Sequence, residues 1–180
     1  MLKRIAITGP ESTGKSTLAE QLANHYLTSW VPEYAREYID KLNRPYVKED
    51  ILTIAKKQLE NENKIAENST RFLFCDSELI ITKIWSEDKY KSCDEWILRK
   101  IEKHKYELYL LCYIDLPWQP DPQREDPHRR EYLFDLYLQE FTERNLPFFV
   151  ISGSGKKRLK NAINQIDSFF GNEIKNITVG

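Results

Sequence analysis

Eight residues near the N-terminus, Gly9-Pro10-Glu11-Ser12-Thr13-Gly14-Lys15-Ser16, leave few folds open to the chain. They follow the apolar run from Arg4 to Thr8, which reads as a buried strand. They open onto Lys15 to Tyr26, which reads as a helix with Leu18, Leu22 and Tyr26 on one face. Glycines at both ends of the motif let the backbone curl until several amide N–H groups point at one anion, and the helix N-terminus adds partial positive charge. The G-x-x-x-x-G-K-S spacing therefore predicts a phosphate-binding loop, with Lys15 bridging the β- and γ-phosphates of a nucleotide and the Ser16 hydroxyl ligating Mg²⁺. The strand–loop–helix setting is what separates such a loop from a chance match in a glycine-bearing turn.

Downstream, strand-length apolar runs alternate with longer amphipathic segments. Ser29 to Ile39 reads as a short strand stopped by Pro32 and then a helix. Tyr46 to Asn68 is a long helix whose stripe is carried by Val47, Ile51, Ile54, Ala55, Ile65 and Ala66. Arg71 to Asp76 is a third strand, followed by helical stretches from Glu78 to Lys105 with a break over Ser86 to Asp94. Leu108 to Asp115 is a fourth strand, continuously apolar as expected when both faces are covered. Pro147 to Ser152 is a fifth, between the helices Glu131 to Asn145 and Gly155 to Phe170. This alternation predicts an α/β fold, a parallel sheet of about five strands flanked by helices, in one domain over residues 1–180. Residues 171–180 read either as an edge strand or as a loose tail.

Composition narrows the partners. A net charge of −1 offers no global field for nucleic acid or an anionic membrane, and no basic–aromatic strip is present, so neither partner is expected. No apolar run approaches the roughly 18 residues of a membrane span. The chain enters a strand within a few residues, so no leader is expected and the protein is assigned to the cytoplasm. Cys75, Cys93 and Cys112 form no C-x-x-C pair; two of them sit inside apolar runs and read as small core residues in a reducing compartment.

Several residues are candidates for chemistry around the loop. Asp76 ends an apolar strand and could position Mg²⁺ through water, act as general base, or simply cap the next helix. The proline-punctuated segment about residues 118–131 carries Arg124, Arg129 and Arg130 and reads as a lid, its arginines neutralising a transferring phosphoryl group; the plain alternative is a solvated charged loop. Glu33, Tyr34, Arg36 and Glu37 lie just past the second strand, where open α/β sheets bind ligands, although Glu33 could merely complement a helix dipole. Gln58 and Glu62 interrupt the long helix's apolar stripe and must either meet polar partners in the core or line a pocket.

Taken together, GPESTGKSTL, WVPEYAREYI, FCDSELIITKIW, DLPWQPDPQRE and FFVISGSGKKRLKNAI resemble the ribosylnicotinamide kinase domain of the NadR proteins, over roughly Arg4 to Phe170. That resemblance implies a P-loop NTPase fold of the nucleoside/nucleotide kinase type, using ATP and Mg²⁺ to phosphorylate the 5′-hydroxyl of nicotinamide riboside. It implies Lys15, Asp76 and Arg124 as catalytic residues and Ser16 with Asp76 on the metal. Expected ATP contacts are Gly9, Glu11, Ser12, Thr13, Gly14, Lys15, Ser16, Thr17, Arg129 and Arg130, with Gly155 and Lys156 beside the adenine. Glu33, Tyr34, Arg36, Gln58, Trp118 and Asp121 are the expected acceptor contacts. NadR proteins also carry an adenylyltransferase domain, often with a DNA-binding domain; these residues show neither pattern, so neither activity is expected of them. A kinase for thiamine or another nucleoside, and a regulatory P-loop ATPase, remain alternatives, and oligomeric state is left open.

Overall fold

The computed structural model describes residues 1–125 and 127–175. In chain order the elements are β1 (Lys3–Thr8), α1 (Lys15–Tyr26), β2 (Ser29–Val31), α2 (Tyr34–Asp40), α3 (Lys48–Ala66), β3 (Phe72–Asp76), α4 (Leu79–Tyr90), α5 (Glu95–Lys103), β4 (Leu108–Cys112), α6 (Arg130–Glu143), β5 (Phe148–Ile151) and α7 (Gly155–Lys175). All strand pairs are parallel, in the order β2-β3-β1-β4-β5.

The period-two alternation of side chains divides the sheet between two cores. Ala6, Leu73, Cys75, Tyr109 and Leu111 face the side covered by α3, α4, α5 and α6, where Ile51, Ile80, Ile97 and Phe141 meet them. Ile5, Ile7, Phe72, Phe74, Leu108 and Leu110 face α1 and α7, packing on Leu18, Leu22, Ala162 and Ile166. Both faces being covered explains the unbroken apolar runs of β3 and β4. Cys75 and Cys112 are buried free thiols within these cores.

Four details depart from the sequence expectation. β4 ends at Cys112 rather than at Asp115: the Tyr113 N–H makes a last bond to the Ile151 carbonyl, and the carbonyls of Tyr113, Ile114 and Leu116 accept from arginine side chains instead of a strand. α4 runs on through Ser86 to Tyr90, capped by Lys91 in the left-handed region (φ 58°), so the break before α5 covers only residues 91–94. Val47 lies outside the α3 stripe as its N-cap, its N–H held by the Asp50 carboxylate at 2.7 Å. Residues 171–175 continue α7; residues 176–180 lie outside the described residues.

Every strand ends on the same edge of the sheet, so the turns after β1, β2, β3, β4 and β5 converge there, the usual ligand edge of such folds.

Candidate functional site

The turn after β1 is shaped by two glycines. Gly9 has φ 130°, and a Cβ there would stand 2.9 Å from the Cys112 carbonyl oxygen, so no other residue fits between β1 and β4. Gly14 (φ 75°) caps α1 and has no side chain to bond the first amides of that helix, which suits them to an anion. Ser12 adopts φ 56°, a conformation non-glycine residues rarely hold. Outside forces keep it there: Arg130 donates to the Ser12 carbonyl at 3.2 Å and Arg158 to the Thr13 carbonyl at 3.0 Å. Thr13 is buried, its hydroxyl donating to Pro10 O at 2.8 Å. Lys15 Nζ donates to the same carbonyl at 3.0 Å.

Two cavities open on this edge. One, of about 490 Å³, is lined by Ser12, Gly14, Lys15, Ser16 and Thr17 of the loop and by Gly155 and Arg158 near the start of α7. The other, of about 280 Å³, lies between α2, α4 and α6, with Tyr46, Trp85 and Tyr137 as its aromatic wall and Asp88 and Glu125 among its carboxylates. Lys15, Glu33, Arg36 and Arg124 line both.

Asp76 lies at the end of β3, fully buried. Its two oxygens are the only buried side-chain polar atoms among the described residues without a hydrogen-bond partner. Burial and then the like charge of Glu33 push its carboxyl up to about 7, against the opposing pull of Lys15, Ser16 and Arg36. Unsatisfied oxygens facing Ser16 and Lys15 fit a hydrated divalent cation beside a phosphate. No cluster of three His, Cys, Asp or Glu side chains able to grip a bare ion exists among the described residues. Glu33 accepts from the Ser77 hydroxyl at 2.9 Å, and Ser77 itself takes φ 70°. Glu78 caps α4, accepting from the Ile80 and Ile81 amides and from Thr8, and burial raises its carboxyl to about 7.

The segment between β4 and α6 is stitched across the site. The Gln119 N–H donates to Ser12 Oγ (2.9 Å) and the Glu125 N–H to Glu11 Oε2 (3.1 Å). Asp121 pairs with Arg36 at 2.7 Å, and Gln123 donates to the Arg36 carbonyl.

Not every expected residue reaches a cavity. Arg129 pairs with Asp88 at 2.7 Å on the wall of the smaller cavity and does not line the larger one. Arg130 braces the loop and the β4 exit through backbone carbonyls, its guanidinium 5.9 Å from the Trp118 ring. Trp118, Asp121, Tyr34, Gln58 and Lys156 line neither cavity. Asp121 holds Arg36; Tyr34 borders a separate groove on the far side of Glu33. Gln58 and Glu62 both spend their polar atoms on partners inside the protein. Conversely, Tyr46, Trp85, Asp88, Tyr137 and Arg158 escaped the sequence reading. Trp85 and Asp88 are three apart on one helix and so share a face. That spacing is the signal that could have found them.

The AAA domain family AAA_28 matches residues 4–158. The trifunctional NAD biosynthesis/regulator protein NadR of Salmonella typhimurium is 26% identical over 161 residues, covering 82% of this chain and 37% of that protein. The chain thus spans little more than a third of that relative's length. Among solved structures, NadR in complex with NR superposes with TM-score 0.82 at 19% identity, covering 94% of this chain and 52% of that one. NadR in complex with NAD and AMP-PNP gives 0.78 at 19% identity, covering 94% and 49%. Thymidylate kinase from Ehrlichia chaffeensis gives 0.66 at 14% identity, covering 93% and 98%. The phosphate loop at the head of β1 and α1, the five-stranded parallel sheet and these likenesses agree: the chain belongs to the AAA domain family AAA_28, as a NadR-like P-loop protein with the fold of the nucleoside and nucleotide kinases.

Proposed function

We propose that the chain transfers the γ-phosphoryl group of ATP to the 5′-hydroxyl of nicotinamide riboside, giving ADP and nicotinamide mononucleotide. One observation carries the reading: a loop-lined cavity and an aromatic-walled cavity share Lys15, Glu33, Arg36 and Arg124 at their junction. A hydrolase needs only the first; a transferase needs both, meeting where the phosphoryl group crosses. The NadR complexes with NR and with AMP-PNP support the same pair of ligands.

The nucleotide's phosphates would take the amides at the start of α1, and Lys15 would exchange the Pro10 carbonyl for phosphate oxygens. Ser16 and Asp76 would hold Mg²⁺, which supplies charge neutralisation across the β- and γ-phosphates. The acceptor hydroxyl forms the new P–O bond as the bond to the β-phosphate oxygen breaks, and ADP leaves with the electron pair. Glu33, which lines both cavities, takes the hydroxyl proton. Arg124 meets the charge developing on the transferring group. The segment around residues 118–131 serves as the lid that keeps water from the phosphoryl group.

The smaller cavity suits this acceptor. Its volume lies at the small end of ligand sites, fitting a nucleoside better than a dinucleotide. Lys89 and Arg129 are paired with Glu125 and Asp88, and Glu11 and Glu33 add two further carboxylates to its wall. The aromatic faces favour a flat cationic ring, and the carboxylates can accept from ribose hydroxyls. Thiamine brings a cationic ring but a single alcohol. Mass spectrometry of reactions with nicotinamide riboside, nicotinic acid riboside, thiamine and common nucleosides tests the reading. Nicotinamide mononucleotide should form fastest, with the neutral nicotinic acid riboside slower. Faster thiamine phosphate would replace the acceptor; ATP hydrolysis without any phosphorylated alcohol would replace the kinase by a regulatory ATPase.

A further inference from the structure

The β2·β3 ladder ends at Val31 opposite Cys75. The next residue on β2's side, Pro32, has no N–H to continue it. The backbones therefore part, and the carbonyls of Pro32 and Asp76 need partners from elsewhere. Gln58, a buried residue in the middle of α3, supplies them. Its Nε2 donates to Pro32 O at 3.3 Å and Asp76 O at 3.2 Å, while its Oε1 accepts from the Tyr34 N–H at 2.8 Å. Both donors and the acceptor of one amide are spent on the two chain segments that carry Glu33 and Asp76.

Packing does not do this work. α2, which begins directly after Glu33, is seven residues long and has no buried residue. No buried side chain of α2 anchors it; Tyr38 and Arg36 tie the helix further on to Asp50 and Asp121, and at Glu33 itself the tethers are Gln58 to the backbone on either side and Ser77 to the carboxylate. An apolar side chain at position 58 would continue the stripe of Ile51, Ile54 and Ala55 equally well.

We infer that Gln58 is a positioning residue: its amide takes over where the β2·β3 ladder stops and sets the spacing between the Glu33 and Asp76 carboxylates, and so where an acceptor hydroxyl is met relative to the transferring phosphoryl group. The kinetic side of this inference rests on the phosphotransfer reading above; the structural side does not.

Gln58→Met keeps the volume and removes all three bonds. It should lower kcat at least tenfold with the ATP KM within twofold. Gln58→Glu, which keeps the acceptor for Tyr34 but loses both donors, should fall with it. In a Glu33→Gln background, Gln58→Met should change kcat less than twofold further, because a residue that acts through Glu33 has nothing left to position. The same fold-loss in both backgrounds, or a lower Tm with kcat untouched, would overturn the inference. A crystal structure of Gln58→Met, readable whatever the acceptor proves to be, should show residues 32–34 displaced from Asp76 by about 1 Å or more, a shift of the size that disrupts catalytic geometry. Superimposable backbones there would equally overturn it.

Discussion

Two carboxylates among the described residues are completely shielded from solvent, Glu62 near the end of α3 and Asp76 at the end of β3, and they have opposite lives. Glu62 lies under the N-terminal edge of the sheet. It accepts from Arg4 at 2.7 Å and from the Tyr106 hydroxyl at 2.6 Å, and the His104 ring lies at 2.7 Å. Burial works to raise its pKa, but His104, Tyr106 and Arg4 outweigh that and hold it below the usual carboxylate range. Asp76 lies under the C-terminal edge with neither oxygen hydrogen-bonded, and burial with the like charge of Glu33 pushes it up to about 7. A buried acid given every partner is part of the scaffold. One left short is completed by something that arrives.

Substitutions at the two ends should come apart accordingly. The largest effect is expected at Asp76: Asp76→Asn should lower kcat/KM about 10³-fold, roughly 4 kcal/mol of transition-state stabilisation. The same change should raise the stability of the ligand-free protein by about 2 to 4 kcal/mol at pH 8, because it removes a charge the fold does not compensate. Lys15→Ala should cost about 10²-fold in kcat/KM, near 3 kcal/mol, with Tm almost unmoved, since Lys15 supports only one carbonyl of its own loop. Glu62→Gln should do the reverse. Urea unfolding should show a loss of about 3 kcal/mol while kcat stays within twofold. Should Glu62→Gln impair turnover as much as stability, the division between scaffold and site fails.

Smaller effects sharpen the contrast. Glu33→Gln should leave ATP affinity within twofold and lower kcat about tenfold, a loss near 1.4 kcal/mol. Weakened ATP with an intact acceptor KM would put Glu33 on the nucleotide side. The pH dependence of stability separates the two buried acids by sign. Glu62, with its pKa depressed, contributes stability that is present above its unfolded value of about 4.3 and is lost as pH falls through its native pKa. Asp76, with its pKa raised, favours the fold at low pH, and that contribution drains away as pH climbs from about 4 to about 7. Thermal melts of Glu62→Gln and Asp76→Asn across pH 3 to 8 should diverge from the parent in opposite directions.

The sequence-legible part of the molecule is what short-range periodicity encodes. All five strands and the long helices announce themselves because each must bury a stripe, and the phosphate loop is legible because one stretch holds all its parts. The smaller cavity was not, because Tyr46, Trp85 and Tyr137 come from three segments that only the packed fold unites. Gln58 and Glu62 show the limit from the other side. A polar residue in an apolar stripe signals a specific partner, but pattern alone does not say whether that partner is a ligand or the protein's own backbone. Arginines 129 and 130 are adjacent in sequence, yet one meets a carboxylate in the smaller cavity and the other a loop carbonyl. Where the chain enters α6 decides which is which, and composition does not record that.

The two arginines that hold the phosphate loop have a consequence for how the protein comes into being. Ser12 and Thr13 receive their supports from Arg130 and Arg158, 118 and 145 residues further on. During synthesis the whole motif leaves the ribosome while both supports are still unwritten, so β1 and α1 can pair with early neighbours around a loop that has no fixed shape. The capacity to seat a phosphate matures late, when α7 docks against α1. A nascent chain that stalls before Arg130 displays the complete nucleotide signature and lacks the braces that make it work.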